Sequence, residues 1–261
     1  MSHPTKATYV YKPCEQGSEV WHSLRAGACT ASRFTIARQR MKRSAGGRDV
    51  GAPTAACEQY AWLLALERIA GKALSDPFET YAMRRGREEE QPGRELYECR
   101  TGMVIQAQGL ALTIDGRFGY STDGRVYDQP GLVEIKTPMA PEKVGGVWVD
   151  PKPFLDEHID QCDGGLMITG HDWIDLVVYT PWLAAIGKDL FVHRFMRNDA
   201  RIKALKSDLE EFWELTSSYE RALRAGSAEP APKPPPAAAP APAPIINIPS
   251  TAPGALPETL F

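Results

Sequence analysis

Apolar residues recur along the chain in two rhythms. Between Asp199 and Leu223, the residues Ile202, Leu205, Leu209, Phe212, Tyr219 and Leu223 fall at three- and four-residue steps, the spacing of one helix face. Asp199 is placed to cap that helix, and Gly226 lies just past its end. Glu58 to Leu74 predicts another helix, with Trp62, Leu63, Leu66 and Ile69 as apolar positions. Phe78 to Gln91 predicts a third, interrupted near Pro92, where proline removes a backbone donor, and resuming from Arg94 to Cys99. The rhythm then shortens. Met103–Gln108, Leu110–Ile114, Arg117–Ser121 and Leu132–Lys136 read as strands. A helix around Leu155–Ile168 and strands at Trp173–Tyr179 and Phe191–Met196 follow. This order predicts an α/β fold, a central mixed sheet flanked by helices.

The pattern stops near Gly226. From there to Phe261 the chain holds 11 of its 22 prolines and much alanine. Pro-Ala alternation favours extended, solvated chain and cannot build a core. The expectation is a folded domain over residues 1–225 and a disordered C-terminal tail over 226–261. The tail's apolar tip, Leu256 to Phe261, also suits a tethered peptide that docks on a partner.

Composition narrows the classes. Hydrophobic residues make up 43% and charged residues 24%, the balance of a globular protein. No apolar run approaches the roughly 20 residues of a membrane span. The N-terminus lacks the apolar core of a signal peptide, so the expected location is cytoplasmic. Cys14, Cys29, Cys57, Cys99 and Cys162 are scattered and form no C-x-x-C pair. That argues against zinc, iron–sulfur or disulfide frameworks and for reduced, mostly buried thiols. A net charge of −3 excludes a uniformly basic DNA-coating protein, but not an enzyme with a local basic channel. Arg38 to Arg48 carries five positive charges and no acid; it reads either as a phosphate-contacting segment or as a solvated loop.

The chemistry concentrates in Ser121-Thr-Asp-Gly124 and Gly131-Leu-Val-Glu-Ile-Lys-Thr-Pro138. Asp123 falls at a turn, with Gly124 allowing the bend. On the following strand Glu134 and Lys136 alternate with Val133 and Ile135, which puts the two charged side chains on one face. Both are costly to bury unless paired, hydrated or bound to a cation. Phosphodiester hydrolysis uses such a set: carboxylates hold Mg²⁺, the ion polarises the phosphoryl group, and a lysine stabilises charge. Asp123, Glu134 and Lys136 fit these roles, with the Ile135 backbone carbonyl as a further ligand. Glu-x-Lys alone also occurs as a solvated strand face.

Longer blocks accompany this triplet. Glu15 to Ser32 contains Trp-His, Leu-Arg-x-Gly and Thr-Ala-Ser. Gly86 to Gly102 contains Gly-x-x-x-Glu followed by an aromatic, Glu and a terminal Gly. Ser-Thr-Asp-Gly with Glu-Ile-Lys-Thr-Pro is the third block, and His158 to Trp173 is the fourth. In this order, across Glu15 to about Pro181, they resemble the lambda-exonuclease and YqaJ-type viral recombinase family. That resemblance implies a PD-(D/E)xK restriction-endonuclease-like core. It implies an exonuclease that digests linear double-stranded DNA 5′→3′, releases 5′-mononucleotides and leaves 3′ single strands for annealing. Two Mg²⁺ ions, with Mn²⁺ as substitute, are the implied cofactors. The implied partners are duplex DNA ends, a single-strand annealing protein and further copies in a ring-like trimer. A phage-encoded chain would work in the host cytoplasm.

The resemblance also assigns residues. Asp123 and Glu134 become metal ligands and Lys136 the catalytic lysine. Glu90 becomes the helix carboxylate, because Leu96-Tyr97-Glu98 then aligns without a gap; Glu88 and Glu89 read as a solvated acidic run. Gln161 becomes the site glutamine. Arg25 and Ser32 would hold the terminal 5′-phosphate, with Ser121 near the site. Thr30 or Ser32 could instead cap a helix. Thr122 replaces the family's proline, which predicts a less rigid turn. Asp163 replaces a second glutamine and either perturbs the site or is exposed. Asp115 has the wrong spacing for a ligand. Rival readings are a structure-specific or restriction-type endonuclease of the same fold, and a non-catalytic DNA-binding recombination scaffold.

Overall fold

The alternating segments pair into two mixed sheets in a computed structural model of the chain, which describes residues 9–74 and 81–225. The elements run β1 (Tyr9–Lys12), α1 (Glu19–Arg25), β2 (Cys29–Thr30), α2 (Phe34–Ala37), α3 (Ala55–Ala70), α4 (Tyr81–Thr101), β3 (Ile105–Gln106), β4 (Leu110–Thr113), β5 (Phe118–Ser121), β6 (Gly124–Val126), β7 (Gly131–Lys136), α5 (Pro141–Val149), α6 (Lys152–Thr169), β8 (Trp173–Tyr179), β9 (Leu190–Met196) and α7 (Asp199–Ala225). The chain divides into two units, Met1–Gly226 and Ser227–Phe261, and the described residues belong to the first. The Pro/Ala-rich tail and the start of the third predicted helix, residues 78–80, lie outside the described residues.

One sheet has the order β1-β4-β5-β2 and the other β3-β6-β7-β8-β9. The single sheet expected from the sequence is therefore two. In the larger sheet β7 and β8 are parallel, with Glu134 opposite Leu176, and the other pairs are antiparallel. Parallel strands need a long crossover, here α5 and α6. Both faces of the sheet are covered. Leu132, Ile174 and Leu176 pack with Phe34, Leu166, Leu209 and Phe212 in one apolar cluster. Val133, Ile135 and Val177 pack with Tyr97 of α4 in another. Burial on both sides explains the nearly continuous apolar run of β8.

Several elements depart from expectation. α4 is continuous through Pro92. Proline there leaves the Glu88 carbonyl without its helical donor, but Glu88 is exposed and water can take that bond. α3 is capped by Thr54, whose side chain accepts from the Cys57 N–H, and it ends at Gly71 with φ 66°. Its buried face is Cys57, Tyr60, Ala61, Leu64 and Ala65, while Trp62, Leu66 and Ile69 are exposed. Small residues win that face because α7 lies against it; Trp62 stacks on Tyr219 at 4.0 Å between centroids. Asn198, not Asp199, caps α7 by accepting from the Arg201 N–H at 2.9 Å. β1, β2, β6 and α5 had no clear pattern. β2 is only two residues long, and α5 contains Gly145-Gly146.

All five cysteines are free; Cys29, Cys57 and Cys162 are buried, and Cys99 is exposed. The basic segment is largely neutralised. Arg38 pairs with Asp160 and Asp208, Arg40 with Glu211, and Arg48 with Glu58. No helix among the described residues is long and apolar enough to cross a membrane.

Candidate active site

Strand periodicity places Glu134 and Lys136 on the α6 side of β7, opposite Val133 and Ile135. Lys136 Nζ lies 2.7 Å from Glu134 Oε1. The Glu134 side chain is 3% exposed and that of Lys136 26%. Two further donors converge on the same carboxylate. The Tyr120 hydroxyl donates to Oε2 at 2.8 Å, and Gln161 Nε2 donates to Oε1 at 2.5 Å. Gln161 reaches it because Gly164 and Gly165 let α6 lie against Phe34 and Tyr120. A Cβ at either glycine would fall 2.5 Å or 2.8 Å from those rings.

Asp123 sits between β5 and β6. Its Oδ2 accepts from the Ile135 N–H at 2.6 Å, which ties the turn to the Glu-x-Lys strand. Thr122 does not loosen that turn. Its hydroxyl contacts the Gly124 and Val133 carbonyls at 2.8 and 3.0 Å and accepts from the Gly124 N–H at 3.2 Å. Gly124 has no positive φ, so it is not a hinge. It is needed because a Cβ there would come 2.1 Å from Ile105 Cγ2 on β3.

α4 supplies Glu90. Glu88 is exposed and Glu89 pairs with Arg85, which leaves Glu90 as the member of the acidic run that faces the site. Arg94, one turn later, donates through Nη2 to Glu90 at 3.0 Å and to the Asp123 carbonyl at 2.5 Å. One guanidinium thus joins the helix acid to the turn acid. The sequence reading passed over Arg94, although its i+4 spacing from Glu90 is a readable signal. Tyr120 was also missed; its partner, Glu134, lies on another strand fourteen positions away.

The electrostatics are those of crowded acid. Burial first, then Glu134 and Glu90, push the Asp123 carboxyl well above the usual range. Burial also raises Glu90, against the pull of Arg94. Burial pulls Lys136 down, but Glu134 and Asp123 outweigh it and hold the ammonium above its ordinary value. A hard cation would relieve the repulsion among these oxygens. Among the described residues no three His, Cys, Asp or Glu side chains close into a metal shell. A Mg²⁺ site does not require one, since that ion keeps waters and takes one or two carboxylates plus substrate oxygens. The donor set of Asp123, Glu134, Glu90 and the Ile135 carbonyl therefore fits such an ion.

These groups line a cavity of about 590 Å³ that is also lined by a second cluster, Arg25, Ser32 and Ser121. Arg25 ends α1, with its guanidinium 4.1 Å from the Trp21 ring centroid. Its Nη2 donates to Thr30 Oγ1 at 3.1 Å, and Thr30 Oγ1 is 3.5 Å from Ser32 Oγ. Thr30 makes no side-chain cap, so its hydroxyl serves Arg25 instead. Trp21 Nε1 donates to Ser121 Oγ at 2.7 Å, linking this cluster to β5. Asp163 does not line this cavity; it is buried and paired with Arg201 at 2.7 and 2.9 Å, joining α6 to α7. Asp115 folds back onto Arg117 in an exposed turn.

Residues 20–172 match the YqaJ-like viral recombinase domain. Among solved structures, LHK-Exo, an alkaline exonuclease from Laribacter hongkongensis, is 31% identical over 80% of this chain and 97% of its own. The TM-score is 0.66 for its complex with dAMP and 0.64 for a second crystal structure. A phage related exonuclease from Haemophilus somnus 129PT is 13% identical over 76% of this chain and 95% of its own, with a TM-score of 0.57, a likeness of fold alone. No curated protein matches the chain.

Proposed function

The chain belongs to the YqaJ-like viral recombinase family, and on that premise we propose that it is a Mg²⁺-dependent exonuclease that resects linear duplex DNA from 5′-phosphorylated ends. The observation that carries this reading is the shared cavity. It joins the acids around Lys136 to a separate arginine-and-hydroxyl cluster suited to a phosphate. A nuclease that cuts anywhere needs only the first; a nuclease that starts at an end also needs the second.

Asp123, Glu134, Glu90 and the Ile135 carbonyl would hold the cation, in two ions by family resemblance, with Mn²⁺ as substitute. When bound it polarises the phosphoryl group and makes hydroxide available from water. Lys136 keeps a positive charge beside the scissile phosphate, where negative charge grows in the transition state. The acceptor-only carboxylate of Glu134 fixes the Gln161 amide with its nitrogen inward, which leaves the amide oxygen to accept from the attacking water. Tyr120 holds the other oxygen of Glu134 and keeps the carboxylate from turning away. Arg25, Ser32 and Ser121 would bind the terminal phosphate and set which bond reaches the acids. The released 5′-mononucleotides would leave a 3′ single strand for an annealing protein, and a ring-like trimer would keep the enzyme on its substrate.

The test pairs wild type with Lys136→Ala on end-labelled linear duplex and a covalently closed circle, with Mg²⁺. Shortening of the linear DNA alone, from 5′-phosphorylated ends and by the wild type alone, is expected. Cutting of the circle would transfer the reading to an endonuclease. No cleavage with Mg²⁺ or Mn²⁺ would remove the catalytic claim.

A further inference from the structure

The cavity lined by Arg25 contains a second guanidinium that no family pattern in the sequence marks. Arg33 closes the short turn Ala31–Arg33 between β2 and α2 and lines the same cavity as Arg25. Its guanidinium lies over the Tyr60 ring, 4.8 Å from the centroid. Tyr60 is itself anchored, its hydroxyl accepting from the Thr30 N–H at 3.2 Å. The residue that receives Arg25 therefore also fixes the ring that carries Arg33. Neither arginine forms an ion pair among the described residues. The nearby acid, Glu67, is occupied by backbone donors, the Gly27 N–H at 2.8 Å and the Leu74 N–H at 3.0 Å.

Arg25 is half-buried and Arg33 exposed, and an anion held between them would gain from both charges. Burial lowers the pKa of Arg25 below its ordinary value, and Arg33 lowers it further, with Tyr60 and Glu67 acting the other way. The two ends of the substrate question differ in charge. A terminal phosphomonoester carries about −1.5 to −2 at neutral pH and three acceptor oxygens, whereas an internal phosphodiester carries a single negative charge. One arginine suits either group; two, beside the Ser32 hydroxyl, match the charge and oxygen count of the first.

We propose that Arg33 is a specificity-determining residue that pairs with Arg25 to select a dianionic terminal phosphomonoester over an internal phosphodiester. The inference rests on the reading of Arg25 as the end-binding residue. It makes the choice of where resection starts a matter of charge matching, separate from the acids that break the bond.

The experiment measures kcat/KM on two linear duplexes that differ only in carrying a 5′-phosphate or a 5′-hydroxyl, for wild type, Arg33→Gln, Arg33→Lys and Arg25→Gln. The wild type is expected to favour the phosphorylated end. Arg33→Gln is expected to cut that preference by roughly ten- to a hundred-fold, the worth of a charge-assisted contact. Arg33→Lys, a point charge without the planar fork, should recover part of it. Binding of each duplex in EDTA, followed by fluorescence anisotropy, should show the same loss confined to the phosphorylated end. A preference unchanged in Arg33→Gln but lost in Arg25→Gln would overturn the role of Arg33 alone. A wild type indifferent to the phosphate would overturn the reading of Arg25 and this inference with it. Equal slowing on both ends by Arg33→Gln, with thermal melting lowered, would make Arg33 a structural residue.

Discussion

Replacing Gly165 with alanine sets a helix-propensity gain against a steric loss, and the steric loss is the larger. Alanine in a helix interior is favoured over glycine by about 0.8–1 kcal/mol. A Cβ at Gly165, however, would lie 2.8 Å from two ring carbons of Tyr120 and 3.2 Å from a third. Carbon contacts settle at about 3.5–4.0 Å. The ring has little room to retreat, being 2% exposed and tied to Glu134 at 2.8 Å. Overpacking costs about 1–3 kcal/mol, and loosening the buried hydrogen bond adds about 0.5–1.5 kcal/mol. The net loss is about 2 kcal/mol, a fall in Tm of roughly 4–8 °C for a folded unit of this size. Catalysis should suffer more than stability. Glu134 would lose one of its three donors and Gln161 would move with α6, and a misplacement of about 1 Å can cost about a hundredfold in rate. The control is Gly145→Ala in α5, where a Cβ meets nothing within 4 Å. It should gain about 0.5–1 kcal/mol from propensity alone. Thermal melts and rates on linear duplex read both variants. A Gly165→Ala protein that melts at or above the wild type and keeps its kcat would refute the packing argument.

Arg94→Met should raise the Mg²⁺ concentration for half-maximal rate about tenfold, because the guanidinium no longer joins Glu90 to the Asp123 turn; a Mg²⁺ titration reads it. Asp123 and Glu90 are raised in the folded chain, so their contribution to stability is fully present below the ordinary carboxylate range and is lost as pH rises through the raised folded values. In EDTA, Asp123→Asn should therefore melt increasingly above wild type as pH rises from the ordinary carboxylate range, and Mg²⁺ should close that gap for wild type alone; a gap that shrinks with pH would contradict the crowding of the acids. Removing residues 226–261 should leave the rate on naked linear DNA unchanged and alter partner binding, and a lost rate would assign the tail a part in catalysis.

What the sequence exposed follows from how local each feature is. Glu134 and Lys136 share a face by strand period, and β8, with both faces buried, read correctly from end to end as an apolar run. α7 was legible because its apolar positions repeat over many turns against one neighbour. α3 was legible as a helix, but its buried face was not, because it has two apolar faces and the packing of α7 decides which one is buried. Thr122 read as a weakened turn because its hydroxyl finds the Val133 carbonyl, eleven positions away. The basic segment read as free charge because its partners, Asp160, Asp208 and Glu211, lie on α6 and α7. Asp163 read as a site residue or an exposed one because Arg201, its partner, is likewise remote.

The same distinction runs through the cavity. Asp123 and Glu134 stand in short patterns at a turn and on a strand, whereas Glu90, on a helix, is placed by the family resemblance. The groups that hold those acids in place are supplied across the fold: Tyr120 and Gln161 meet on Glu134 from β5 and α6, and Arg94 spans α4 and the Asp123 turn. A carboxylate cluster without these donors would protonate or turn toward water rather than wait for a cation. The end-binding half obeys the same logic, since Trp21 reaches Ser121 across a hundred positions and Arg33 depends on Tyr60 from α3. Substitutions at the supporting residues should therefore separate the two halves. Changes around Tyr120 and Arg94 should slow cleavage at every end, and changes around Tyr60 and Arg33 should alter which ends are chosen.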